Sequence, residues 1–306
     1  MKTCLAWAKI FIYGHNKREL IIGMKYLFAL LLFFSGLNAE AQIERYKHQL
    51  QLVDSVRVYI KNTLHLNIGN DFYTKWSTQK DSMYYYVYVS DAQKIQSTLD
   101  VAFITYNKED TAIVAANNFT MQGFHALVYK TAGTSNAELT PKLLSYPDEA
   151  IAFIMVHEAV HRHISSLHLK PGYPYSFEEC LCDAVANSAC VAMAKTLKLL
   201  ASKAAISQKK IFERVYVYIN SQDKKLVPAD TVMQALIFSK TTSHIKTMVR
   251  NGNQFQKDRM IYPVNNAYFL RNRSYTTHYF ELLQMLNGQL SMNDVINKIY
   301  KREVQH

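Results

Sequence analysis

The chain has 306 residues, of which 49% are hydrophobic, and a formal net charge of +11. That length and apolar content suit one globular domain, or a closely packed pair, with a sizeable core. No internal repeat or low-complexity tract interrupts it, and no Lys/Arg run or recognition motif accompanies the basic excess, so nucleic acid is not an expected partner.

Residues 1–41 read as a leader. Met24-Lys25 precedes the apolar run Tyr26–Phe34, followed by Ser35-Gly36-Leu37-Asn38 and Ala39-Glu40-Ala41. This is the order of a charged segment, an apolar segment and a small-x-small cleavage site. The run is shorter than the about 20 residues a bilayer span needs. The expectation is export to the periplasm or beyond, with no stable membrane insertion after cleavage; an uncleaved anchor is the alternative. The 23 residues ahead of Met24 make an unusually long leader, so translation is expected to start at Met24. Cleavage before Gln42 removes five basic and two acidic residues, taking the net charge from +11 to +8.

From Glu44 to about Leu66 the apolar spacing predicts a helix. Aromatic and β-branched residues predict strands at 82–89, 101–105, 111–115 and 124–129. Tyr84, Tyr85, Tyr86 and Tyr88 fall on both faces of the first strand, so strand propensity explains them better than a stacking surface. After Asp183 helices are expected at 210–220, 230–240, 266–271, 276–287 and 295–302.

The centre of the sequence is His157-Glu158-Ala159-Val160-His161, preceded by an uncharged run that begins at Ala150. Pro147 and Asp148 stand where a helix opens. On a helix the two histidines lie one turn apart and project from one face toward one ion. Glu158 can then reach a water on that ion without joining the ligands. A catalytic zinc needs a third protein ligand. The extended pattern His-Glu-x-x-His-x-x-Gly-x-x-His fails, because its last two fixed positions are Ile164 and Leu167. Glu179 is the expected third ligand, since Asp183 lies one turn on and can accept the free N–H of a ligand histidine. Glu178, about 100° round the helix, is the runner-up.

Cys180, Cys182 and Cys190 form no disulfide framework. A cysteine thiolate could replace Glu179 on the metal, although buried cysteine is more often a small hydrophobe. His163 points about 200° from His161 and cannot share its ion. His125 and His168 are read as structural or surface residues.

The pairing of His157-Glu158-x-x-His161 with Glu179-x-x-x-Asp183 resembles the gluzincin metallopeptidases. Leu143–Ala150, Phe177-Glu178-Glu179 and Asn265-Asn266-Ala267 with Tyr275, Phe280 and Glu281-Leu282-Leu283 resemble, more narrowly, the bacterial putative aminopeptidases of that clan. Glu178 replaces the asparagine of their Phe-Asn-Glu segment. The likeness covers residues 140–290 in patches. It implies an α+β fold with a zincin-like core: a sheet-containing part at 42–145, and a mainly helical part at 146–306 holding one Zn²⁺ on His157, His161 and Glu179. It implies a peptide or protein substrate, Glu158 as general base, and Tyr275 as the donor to the developing oxyanion, with His278 and Tyr268 as rivals. Residues 123–129 are the candidate sheet edge for a substrate strand. The Gly-x-Met-Glu-Asn segment of well-known zinc aminopeptidases is missing, so endopeptidase action stands beside aminopeptidase action. A non-catalytic binding protein on the same fold is the third possibility.

Overall fold

The computed structural model describes residues 44–78, 83–93, 103–132, 137–167 and 175–287, with 291, 294, 295 and 298. The expected leader, His168 and nearly all of the helix expected at 295–302 lie outside the described residues. The chain divides into two compact units, Met1–Leu50 and Gln51–His306. Only residues 44–50 of the first are described, as helix. The second contains the sheet and the remaining helices.

The fold is α+β. Helix α1 (44–62) buries Leu52, Val53, Val56 and Ile60, the apolar stripe that its spacing predicts. Three strands follow: β1 (Tyr84–Asp91), β2 (Phe103–Tyr106) and β3 (Phe124–Thr131). They form one antiparallel sheet in the order β2-β1-β3, with Tyr86 opposite Thr105 on one side and Tyr129 on the other.

The strand expected at 111–115 is instead part of helix α2 (Glu109–Met121). Glu109 and Asp110 sit in its first turn, and Ala112 and Ala116, one turn apart, are its buried stripe. The β-branched Ile113 and Val114, which suggested a strand, face solvent. Topology also requires a crossover here. β2 and β3 are both antiparallel to β1, hence parallel to each other, and parallel strands cannot be joined by a tight turn.

The rest is helical: α3 (Pro141–Ser145), α4 (Asp148–Ser166), α5 (Tyr175–Ala192), α6 (Ser202–Leu226), α7 (Thr231–Met248), α8 (Gln254–Met260), α9 (Asn266–Thr276) and α10 (Tyr279–Asn287). α4 is capped at Pro147, and every residue from Ala150 to Val160 is buried. α5 packs against α4, α6, α9 and α10. With the π-helical turn Met193–Leu197 that continues it, α5 contains the span Phe177–Leu197, long and apolar enough to cross a membrane. Here that span is a mostly buried core helix whose carboxylates meet α4. α9 packs on both β1 and β3, and all eleven of its residues are buried.

Candidate metal centre

Two helices build the site. On α4, His157 and His161 stand one turn apart, and their Nε2 atoms converge to 3.2 Å. On α5, Glu179 reaches both: Oε2 lies 3.3 Å from His157 Nε2, and Oε1 lies 3.4 Å from His161 Nε2. Glu179 is buried, and its Oε2 has no hydrogen-bond partner among the described residues.

The opposite ring nitrogens are tied off. His157 Nδ1 lies 2.8 Å from Asp183 Oδ1, and His161 Nδ1 lies 2.5 Å from Glu178 Oε1. Carboxylates only accept, so each Nδ1 must carry the proton. In the neutral tautomers both Nε2 lone pairs then point into the same small space, beside an unsatisfied carboxylate oxygen. That arrangement is repulsive unless a cation or protons fill it. Burial pushes both histidines down in pKa, yet Asp183 and Glu179 bring His157 back above its ordinary value, and Cys182 and Glu179 do the same more strongly for His161. Burial also opposes charge on Glu179, but the two imidazoles hold it well below the usual carboxylate range. The same carboxylates that would accompany an ion therefore also favour protonation of the two imidazoles.

His157, His161 and Cys182 form a group that could hold a metal ion, with their donor atoms within 4.8 Å of one another. Glu179 offers a further donor, Oε2 toward His157 and Oε1 toward His161. A tetrahedral centre with bonds of about 2.0–2.1 Å has donor–donor edges of about 3.3–3.4 Å, and the three observed separations lie within about 0.2 Å of that range. The Cys182 thiol is pushed well up by burial, despite His161 beside it.

The support around the ligands is larger than the sequence suggests. Asp183 is fully buried and receives both His157 and a two-oxygen contact from Arg259 Nη2 at 2.8 Å. Tyr216 of α6 donates to its other oxygen. Burial alone would raise the Asp183 carboxyl, but Arg259, His157 and Tyr216 outweigh it. Glu178 does for His161 what Asp183 does for His157. Neither Arg259 nor Tyr216 carries a sequence signal, because neither lies in a motif. Glu178 did, by its adjacency to Glu179, but its expected rank was that of a substitute ligand.

Glu158 is buried beside the histidines, and burial raises its carboxyl above the ordinary value, making it a stronger base. Its charge raises the phenols of Tyr73 and Tyr86, in each case after burial itself. Tyr73 escaped the sequence reading. Its backbone is left-handed (φ 50°), and its buried hydroxyl has no partner among the described residues.

Among the three candidate oxyanion donors, Tyr275 lies beside the metal residues, with its ring parallel to His157 at 6.4 Å. Burial, then the Glu179 charge, keeps its phenol protonated. The Tyr268 hydroxyl is spent on the Met260 carbonyl at 3.2 Å, and His278 stacks on Phe177. His163 and His125 are structural. His163 Nδ1 accepts from the Asn67 amide, and His125 Nδ1 from the Asn266 amide. The three cysteines are free and buried on α5.

The candidate edge for a substrate strand, residues 123–129, falls largely on β3. β3 is an edge strand of the described sheet, and some of its main-chain groups are engaged. The Ala126 carbonyl accepts from Asn265, and the Lys130 amide and carbonyl bond the Tyr262 hydroxyl.

Compared with protein-family models, curated proteins and solved structures, the chain finds no match.

Proposed function

We propose that this chain is an exported zinc-dependent peptidase of the gluzincin type, with the ion held by His157, His161 and Glu179. The observation that carries the reading is the convergence of two imidazole Nε2 atoms and a buried carboxylate with edges of 3.2–3.4 Å, while each Nδ1 is engaged by a separate carboxylate. A mixed nitrogen and oxygen set of three, in a buried cleft, suits a catalytic zinc with an open position. Bound there, zinc supplies a Lewis acid and lowers the pKa of water.

The remaining work falls to the chain's own side chains. Glu158 takes a proton from the attacking water as the new C–O bond forms at the acyl carbon. It delivers that proton to the departing amine as the C–N bond breaks. Its raised pKa suits both halves of the cycle. A neutral phenol beside His157, that of Tyr275, serves as a donor to the oxygen that gains charge. Asp183 and Glu178 hold the two imidazoles in the Nδ1–H tautomer.

A second reading substitutes Cys182 for Glu179, favoured by the donor group His157, His161 and Cys182. Metal analysis and peptide hydrolysis on four forms of the chain separate the possibilities. The native chain and Glu158→Gln are expected to hold near-stoichiometric zinc, with hydrolysis by the latter lower by about 10²–10⁴-fold. Glu179→Ala is expected to lose the metal, and Cys182→Ser to keep it. Undiminished hydrolysis by Glu158→Gln would overturn the mechanism; a metal-free native chain would overturn the site.

A further inference from the structure

α9 reads Asn-Ala-Tyr-Phe-Leu-Arg-Asn-Arg-Ser-Tyr-Thr, a sequence with little apolar character, yet all of it is buried. Such a conflict between local composition and burial marks a functional site when the polar groups are not simply paired off. Most of them are. Arg273 makes a two-point ion pair with Asp223 at 2.8 and 2.9 Å, Asn272 bonds the Tyr268 carbonyl, and Asn266 bonds the Asp91 carbonyl. Asn266 Oδ1 and Ser274 Oγ have no partner among the described residues, but of the two charged residues only Arg271 is left without an ion pair there. It is 1% exposed and has no carboxylate partner among the described residues. Its one hydrogen bond runs from Nη1 to Asn272 Oδ1 at 3.2 Å, while Nε and Nη2 have none.

Two tyrosine rings flank the guanidinium, Tyr129 at 4.1 Å and Tyr275 at 4.4 Å. Ring faces stabilise the cation but accept nothing from its in-plane N–H groups. A buried guanidinium with free in-plane donors has the form of a receptor for a planar two-oxygen anion. Its position relates it to the metal centre. Arg271 and Tyr275 are one turn apart on α9 and share a face. The steps of 4.4 Å to the Tyr275 ring and 6.4 Å onward to the His157 ring leave the guanidinium no farther than about 11 Å from that histidine. That upper bound, taken through the Tyr275 ring, puts a carboxylate paired with Arg271 at most about two residues of extended chain, each about 3.3–3.6 Å long, from a group on the metal.

We infer that Arg271 anchors the free C-terminal carboxylate of a peptide substrate, so that cleavage falls one or two residues from its C-terminus. The inference rests on the peptidase reading and narrows it. An aminopeptidase would need an acidic group to hold the substrate's α-amine. The charge left unmatched next to this site is a cation.

The test is binding, made independent of turnover. Zinc-loaded Glu158→Gln protein is titrated calorimetrically with N-acetyl-Ala-Phe and with its C-terminal carboxamide. The acid is expected to bind tighter by about 30-fold or more, the scale of losing one partner of a buried ion pair. Adding Arg271→Gln should bring the two ligands to near-equal affinity, and Arg271→Lys should restore part of the preference. Zinc content and thermal unfolding of each variant show whether it is folded. If Arg271→Gln does not fold, the acid-to-amide ratio in the parent and in Arg271→Lys decides. Equal binding of acid and amide, or binding of neither, overturns the assignment. Hydrolysis by the native chain is read separately. Acid-selective binding with no hydrolysis would sink the peptidase reading and keep the anchor. Equal hydrolysis of acid and amide would keep the peptidase and sink the anchor.

Discussion

Glu178 shows how one side chain can be misjudged from its spacing. It is one residue from Glu179, so on a helix it should turn away from any ion that Glu179 binds. It does turn away, and arrives at His161 Nδ1, 2.5 Å off. A carboxylate there fixes the imidazole's tautomer and raises its donor strength, and removing such a partner costs about 10–100-fold in metal affinity. Glu178→Gln is therefore expected to weaken zinc by about that factor, measured by competition with a chromophoric chelator. Unlike Glu179→Ala, it should leave a saturable site. The amide can still accept from Nδ1 through its oxygen but brings no charge, so an unchanged affinity would mean that Glu178 only fills space. Tyr73 belongs to the same scale: a side chain with no motif around it, noticed through its left-handed backbone and orphan hydroxyl beside Glu158.

Among the elements, α5 and α8 are joined through Asp183 and Arg259. The guanidinium meets both carboxylate oxygens at 2.8 Å and also stacks over Tyr275 at 4.6 Å. It thereby fixes the group that orients His157. Removing one partner of a buried pair strands the other, at a cost of about 3–5 kcal/mol, so Arg259→Gln is expected to lose about that much stability to denaturant. The acid limb should move too. Asp183 is held below its ordinary value, so its contribution is complete well above pH 4 and disappears as pH falls through the depressed folded value. Without Arg259 the depression shrinks, and acid unfolding should begin at higher pH. The zinc-motif helix and its partner were legible because their chemistry is local: donors at i and i+4, an apolar run around them, a proline at the start. Arg259 and Tyr216 were not, because they reach Asp183 across 76 and 33 residues of chain, and no period within an element encodes that distance. α2 was misread for a different reason. Ile113 and Val114 favour strands by propensity, whereas the buried spacing of Ala112 and Ala116 follows the helix and prevailed. Three of the four expected strands were otherwise located, since aromatic and β-branched runs on a half-buried sheet leave a clear pattern.

In the whole unit, metal and stability should be hard to separate. α5 packs against four other helices and supplies Glu178, Glu179 and Asp183 to the histidines of α4. An ion bound between α4 and α5 therefore stabilises the centre of the core. At a free zinc concentration about 1,000 times Kd the gain is about 4 kcal/mol, and in a domain of this size each kcal/mol moves Tm by about 2–4 °C. Chelation should thus lower Tm by about 8–16 °C in the native chain and leave Glu179→Ala nearly unmoved. Acid should narrow the gap. Asp183 and Glu179 raise His157, and Cys182 and Glu179 raise His161, above their ordinary pKa of 6.5, so protons already compete with the ion above that pH. The protonated, metal-free cluster is itself satisfied by its carboxylates. Scans from pH 8 down to pH 6 should therefore show the metal-dependent difference in Tm shrinking steadily, as the metal-free Tm rises with protonation of the folded-state histidines. A difference that grew toward acid would mean that the stabilising ion is held by groups other than these two imidazoles.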